Sequence, residues 1–283
     1  MTREAFGLSE SGNRYQLQVN AENARIAEWL QRLTENQRNR GFGLCFLYLR
    51  NVKGFRCNQK RVYRIYRELE LNLRIKTKKR MNRAKPEPPS VPTSIDKVWS
   101  IDFMHDQLYE GRTACLFNVI NDLIREALGI EFEFSLTSEL VIRSLNQIIE
   151  WRGKPKAIGC DNGPQYLSTL IIEWAKSQDI RIEYIQPGKP QKNAFVARFN
   201  WTVRYEWLAQ SVFDSLEEAR KVATCWVWSY NHRRPNMALT SVTPKQRVGH
   251  GRITSASQSY QKRGRGYRYT SAGDFYKLNS CLI

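Results

Sequence analysis

Two aspartates stand where chemistry could sit. Asp102 interrupts an otherwise apolar stretch, Val98-Trp99-Ser100-Ile101-Asp102-Phe103-Met104. An ionised carboxylate in such surroundings is costly unless a cation or a hydrogen-bond donor compensates it. Asp161 opens the turn Asp161-Asn162-Gly163 at the end of the apolar run Ala157-Ile158-Gly159-Cys160, and strand ends are where open α/β sheets present their ligands. Two carboxylates on neighbouring strand ends suit hard divalent cations, because Mg²⁺ takes oxygen ligands and keeps several waters. A pair of such ions about 3.5–4 Å apart activates an attacking oxygen and stabilises a leaving one at phosphorus. Taken alone, the same residues also describe a strand aspartate paired with a core arginine, followed by an ordinary Asp-Asn-Gly turn.

The elements that must position these acids follow from hydrophobic periodicity. Residues 98–104, 114–120 and 128–134 read as three successive apolar strands, and residues 157–160 and 181–185 as two more. Leu140, Ile142, Leu145, Ile148 and Ile149 recur at helical spacing, which predicts a helix over 139–151, ended by Gly153-Lys154-Pro155. Further helices are predicted over 168–177, 193–209 and 215–230. Ser215, with Glu218 three residues on, forms a capping-box pattern at the start of the last. This order predicts an α/β fold, a mixed sheet with helices packed against it. Trp226, Trp228 and Tyr230 read as core packing rather than as base-stacking groups.

Upstream, the texture is helical and basic. From Arg40 to Lys85 there are fifteen Lys or Arg against two acids, Glu68 and Glu70. Residues 24–33 and 44–50 predict two short helices. Val62, Ile65, Tyr66, Leu69, Leu71 and Leu73, interleaved with Arg61, Arg64, Arg67 and Arg74, predict a third. Three short helices ending in a basic one describe a helix-turn-helix DNA reader; they equally describe a solvated basic face. The segments are therefore 20–75 (helical, DNA-binding), 76–95 (a basic and Pro-rich linker), 96–248 (the α/β core) and 249–283 (a basic, loosely ordered tail).

The whole chain agrees with a polyanion partner. Its 283 residues, about two domains' worth, carry 45 basic and 27 acidic side chains, a net charge of +18. With 41% hydrophobic and 12% aromatic residues it can build a core, which excludes global disorder. No stretch approaches the roughly 18 apolar residues of a membrane span, and the first residues have no apolar leader. A cytoplasmic protein without a membrane partner is expected. The six scattered cysteines, without a C-x-x-C pair, predict reduced thiols and no zinc site.

Five segments in order carry a resemblance: Ser100-Ile101-Asp102-Phe103, Asp161-Asn162-Gly163-Pro164-Gln165-Tyr166, Gln186-Pro187-Gly188-Lys189-Pro190, Asn193-Ala194-Phe195-Val196, and Tyr230-Asn231-x-x-Arg234-Pro235. Together they resemble the integrase core of IS3-family insertion-sequence transposases, the product of the second reading frame. Gly41-Phe42-Gly43 and Asn58-Gln59-Lys60-Arg61-Val62-Tyr63-Arg64 resemble that family's helix-turn-helix segment, so the likeness spans residues 25–248. The resemblance implies an RNase H-like core with a D-D-E triad that binds Mg²⁺, with Mn²⁺ as a substitute. Its reaction is strand cleavage and transfer at the ends of the element, on double-stranded DNA, by a homo-oligomer. An upstream reading-frame product is a possible further partner in such families.

Asp102 and Asp161 match the first two acids, as catalytic residues and metal ligands. The third belongs at position 197, before an aromatic-Asn pair, and this chain has Ala197 there. An alanine offers no oxygen to a cation. Loss of one electrostatic stabiliser elsewhere costs about 10²–10³ in rate, so the resemblance implies a polynucleotidyl transferase and Ala197 an impaired one. Glu206 lies nine residues on, about 13 Å along the same helix at 1.5 Å per residue, and Glu183 sits on the fifth strand; neither is expected to substitute. Trp201, Gln59 and Cys57 also depart from the family pattern. Lys60, Arg61 and Arg64 of the helical segment, and Lys189, Lys192, Arg198 and Arg204 around the site, are the expected DNA contacts. His105 and His232 have no catalytic partner pattern. A DNA-binding remnant without chemistry is the alternative from another class, and a structure-selective nuclease is a third reading, made less natural by the N-terminal reader.

Overall fold

The computed structural model describes residues 21–73, 98–161, 163, 168–184 and 194–248. The linker at 76–95, the Gln186–Gln191 loop with Lys189, Lys192, and the 249–283 tail lie outside the described residues.

The first unit is three helices: α1 (Ala21–Asn36), α2 (Phe42–Asn51) and α3 (Gln59–Glu68). They bury Ile26 and Leu30 of α1, Cys45 and Leu49 of α2, and Val62 and Tyr66 of α3 against one another. Each such aliphatic side chain is worth about 1.5–3 kcal/mol relative to exposure. Asn58 caps α3, its side chain accepting from the Lys60 amide at 2.9 Å. The third helix ends earlier than its leucine spacing predicts. Glu70 takes φ +56°, and the Leu71 and Glu70 amides donate back to the Tyr66 and Arg67 carbonyls. This Schellman closure turns the chain so that Leu69 and Leu71 pack onto the helical core as a strap and not as a further turn. The α2–α3 connection, residues 52–58, is longer than the three to four residues or so of compact helix-turn-helix units.

The second unit is built on a five-stranded sheet. Its strands are β1 (Val98–Gln107), β2 (Thr113–Asn121), β3 (Ala127–Glu133), β4 (Ala157–Cys160) and β5 (Arg181–Tyr184). They lie in the order β3-β2-β1-β4-β5. β2 runs antiparallel to β1 and β3, while β4 and β5 run parallel to β1. Parallel pairs need crossovers, and α4 (Ser138–Arg152) and α5 (Thr169–Ser177) supply them. Both pack on one face, over Trp99, Ile101, Phe117, Val119 and Ile158. The opposite face, with Met104, Leu116, Ile120 and Phe132, is covered by α6 (Ala194–Glu206) and α7 (Leu216–Arg233). The period-2 alternation of β1 thus sends Ser100, Asp102 and Met104 toward α6 and α7. This is the expected RNase H-like mixed sheet flanked by helices.

Differences from the expected elements are small and physical. The 193–209 helix ends at Glu206 and continues as a 3₁₀ turn, Leu208–Gln210. Ser215 accepts from the Glu218 amide at 3.2 Å, but the Glu218 carboxylate reaches the Asp214 amide rather than that of Ser215, a shifted capping box. Trp226 and Tyr230, four residues apart, stack in the core at 5.4 Å with Phe199 and Trp207 around them. Trp228 does not join them: two residues from either it points off that face, half-exposed, so its reading as core is corrected. Cys45, Cys57, Cys115 and Cys160 are free thiols, and among the described residues no helix is long and apolar enough to cross a membrane.

The two units touch through polar groups. Asn39 donates to the Tyr205 carbonyl at 2.6 Å, Asn51 to the Ser241 carbonyl at 2.6 Å, and Gln246 to the Asn51 carbonyl at 2.8 Å. Arg40 is buried beside Glu206, which holds Arg234 through two hydrogen bonds of 2.8 and 2.5 Å.

Candidate active site

The register of β1 and β4 brings the two acids together. Ser100 pairs with Gly159 in the parallel ladder; two residues further along each strand, beyond the last paired residues, stand Asp102 and Asp161. Asp161 turns the chain, its Oδ1 accepting from the Gly163 amide at 3.0 Å. Asp102 is half-buried under α6. Burial pushes its carboxyl up to about 6, the Phe103 amide lowers it, and the neighbouring charge of Asp161 raises it further. Desolvation and a like charge both oppose ionisation.

What answers Asp102 is an amide. Asn200 on α6 donates to Asp102 Oδ2 at 2.8 Å, and its own carbonyl accepts from Asn118 Nδ2 at 2.8 Å. Asn118 stands opposite Asp102 on β2 and is fully buried. The chain Asn118–Asn200–Asp102 therefore ties two strands and a helix around one carboxylate. Sequence reasoning used Asn200 only as a motif position and missed Asn118 altogether; the signal was a pair of polar residues, Asn118 and Asn121, inside an apolar strand.

Ala197 lies one turn before Asn200 on the same helix, and it is exposed. No buried packing depends on its methyl. Both candidate replacement acids already have cationic partners. Glu206 is buried in its two-point ion pair with Arg234. Glu183 pairs with Arg181 on its own strand at 2.9 Å. Among the described residues no three His, Cys, Asp or Glu gather as a metal-holding group. A desolvated carboxylate facing a second one nevertheless suits a cation. The donor set present thus fits a divalent ion held by two carboxylates, one ligand fewer than a triad.

The basic candidates fall into separate places. Arg198 and Arg204 lie on the exposed side of α6: the Arg198 guanidinium sits 4.7 Å over the Trp201 ring, and Arg204 donates to the His105 carbonyl at 2.8 Å. Lys60, Arg61 and Arg64 are on α3 in the other unit. Lys60 and Arg64 are exposed there, while Arg61 is held by Glu22 at 2.6 Å and Asn23 at 2.8 Å and braces α3 against α1. The Tyr230–Pro235 segment is structural. Asn231 grips both backbone groups of Ala127, donating at 2.8 Å and accepting at 2.9 Å, next to the β2–β3 bulge.

Family models described as integrase core domain match residues 92–190 and 178–244, more than half of the chain. Over 249 residues, 88% of this chain and 90% of the relative, the sequence is 33% identical to the insertion element IS407 uncharacterized 31.7 kDa protein of Burkholderia multivorans. The chain belongs to the insertion-element transposases. This transposase is also 32% identical over 202 residues to the insertion element IS476 uncharacterized 39.2 kDa protein of Xanthomonas euvesicatoria, covering 71% of this chain and 58% of that one. Among solved structures, the magnesium complex of the HTLV-2 integrase catalytic core in trimeric form is similar at TM-score 0.43 and 22% identity, over 57% of the transposase and 98% of that chain. A simian T-cell lymphotropic virus intasome with the PP2A regulatory subunit B56 gamma is similar at TM-score 0.48 and 18% identity, over 86% and 80%.

Proposed function

We propose that this transposase binds the ends of its element as double-stranded DNA, and that its strand-cleaving and strand-transferring chemistry is impaired at one residue. The reading rests on one observation: Asp102 within β1 and Asp161 just past the end of β4 stand level with one another when the β1–β4 register is extended, and Ala197, matched to the third acid of the family pattern, lies one turn from the asparagine that holds Asp102. Asp102 and Asp161 are the metal ligands and catalytic acids in this reading, with Mg²⁺ or Mn²⁺ as the ion. A divalent ion bound there supplies positive charge against the oxygens of a phosphodiester under attack. Asn200 fixes the Asp102 carboxylate, leaving one face of it toward Asp161. Arg198, Arg204, Lys189 and Lys192 contact backbone phosphates along the DNA end, and Lys60 and Arg64 contact DNA through α3. Arg61 joins them only if it leaves Glu22. Homo-oligomeric assembly on DNA, an upstream reading-frame partner and a cytoplasmic location complete the proposal.

The test is metal-dependent nicking of a labelled duplex carrying the element's terminal repeat. Negligible nicking is expected from the chain as it stands, with activity gained on Ala197→Glu by about 10²-fold or more. The gain should vanish in the double variant Ala197→Glu, Asp102→Asn. Robust nicking without the glutamate, or an inert Ala197→Glu that still folds and binds DNA, overturns the account of the defect. The non-catalytic remnant is the second reading. It is favoured by the exposed alanine, and it gains if nicking stays absent while duplex binding is strong.

A further inference from the structure

Most half-buried arginines of this chain have a carboxylate. Arg61 has Glu22, Arg152 has Glu126, Arg220 has Glu133 and Arg234 has Glu206. At the seam between the helical unit and the core, half-buried Arg233 has none among the described residues, nor do the exposed Arg32 and Lys53 beside it. Arg32 lies on α1, Lys53 just past α2, and Arg233 at the end of α7. They converge on two indole rings. Lys53 Nζ lies 4.1 Å and the Arg32 guanidinium 5.5 Å from the Trp29 ring centroid; the Arg233 guanidinium lies 4.8 Å from that of Trp228. The Lys53 ammonium is pulled below its ordinary value by burial and then by Arg233 and Arg32. Lys245 adds a further positive charge close by, within electrostatic reach of His232, which stacks on Trp228.

Bringing like charges from both units to one seam is unfavourable, and the three cation–π contacts return only about 0.5–1 kcal/mol each at exposed sites. The hydrogen bonds of Asn51 and Gln246 nevertheless hold the units together beside it. An anion that spans the seam would relieve the repulsion and gain from cations on both sides. A chain of net charge +18 that acts on DNA has such an anion in its substrate.

We propose that this seam is a phosphate-binding strip in which Arg32, Lys53 and Arg233, backed by Trp29 and Trp228, grip one stretch of DNA backbone and thereby couple the helical unit to the core. The proposal rests on the reading that DNA is the partner. The strip carries affinity and geometry, not sequence preference, because phosphate contacts encode none. It is separate from α3 and from the acidic site.

The experiment uses the full chain and a fluorescein-labelled duplex of arbitrary sequence, titrated at several salt concentrations. Lys53→Met and Arg233→Met keep aliphatic stems over their indoles and remove the charge; Lys176→Met, at an exposed position of α5, is the control. Each seam variant should make the slope of log affinity against log salt shallower by about 0.9. Melting of the free protein should be unchanged or shifted upward, and the control should behave as wild type. Wild-type slopes in both seam variants, or a fall in free-protein melting temperature large enough to explain lost binding, overturns the strip alone. Absence of salt-dependent duplex binding by the wild-type chain overturns the functional reading, and the strip with it.

Discussion

At Asp102 a strand imposes burial and a helix answers with one amide hydrogen. Asn200→Ala removes that donor and leaves the buried Asn118 amide without its acceptor. A cost of about 1–3 kcal/mol is expected, read from the urea midpoint. Asp122 carries a second residue-scale prediction. Burial pushes its carboxyl up to about 6, against lowering by a Ser100 hydrogen bond and by Arg125, with Glu183 raising it. A folded value above the unfolded one means that ionising Asp122 costs stability: the fold loses stability as pH rises from about 4 to about 6, and the loss is complete above that. Asp122→Asn should therefore gain on the order of 2 kcal/mol relative to wild type at pH 7.5, shrinking toward zero near pH 4. A gain independent of pH would contradict this. The two candidate aspartates, Asp102 and Asp161, were legible because carboxylates in apolar runs are conspicuous. Asn118 and Asn200 were not, because a neutral amide acquires its role only after α6 has closed over β1 and β2.

At the scale of elements, α6 is fixed at its middle and at its last turn by polar groups: half-buried Asn200 reaches Asp102, and buried Glu206 grips Arg234 with Arg40 beside it. Removing one partner of a buried pair strands the other. Glu206→Gln should cost about 3–5 kcal/mol, measured by chemical denaturation, since two guanidiniums then share no counter-charge. Strand and helix positions in the core were readable almost throughout, because the strands are short apolar runs and the helices repeat their apolar residues near 3.6. The failures have local causes. Leu71 follows a left-handed Glu70 that apolar spacing cannot reveal. Trp228 shares a helix with Trp226 and Tyr230, yet at i+2 it faces the seam, so aromatic clustering in sequence overstated clustering in space.

For the molecule as a whole, the contacts between helical unit and core given by Asn39, Asn51 and Gln246 are few and polar. Each such hydrogen bond contributes only about 0.5–1.5 kcal/mol. Removing Asn39 and Asn51 together, as Asn39→Ala with Asn51→Ala, should separate a single calorimetric transition into two, while saturating duplex DNA restores one. A single sharp transition in that double variant would mean that the units are coupled by something else. The order of the units could be read from the sequence, because charge and periodicity change at the Pro-rich stretch; their docking could not, because it depends on side chains such as Arg40 whose partner lies far along the chain. The open surroundings of Ala197 have a hereditary consequence. Its side chain is exposed and its neighbours have not been remodelled into a buried plug around the methyl. The alanine codons GCA and GCG each differ from a glutamate codon by one base, so under the proposed function any copy of the gene that uses either is one point mutation away from a third carboxylate on α6 beside Asp102.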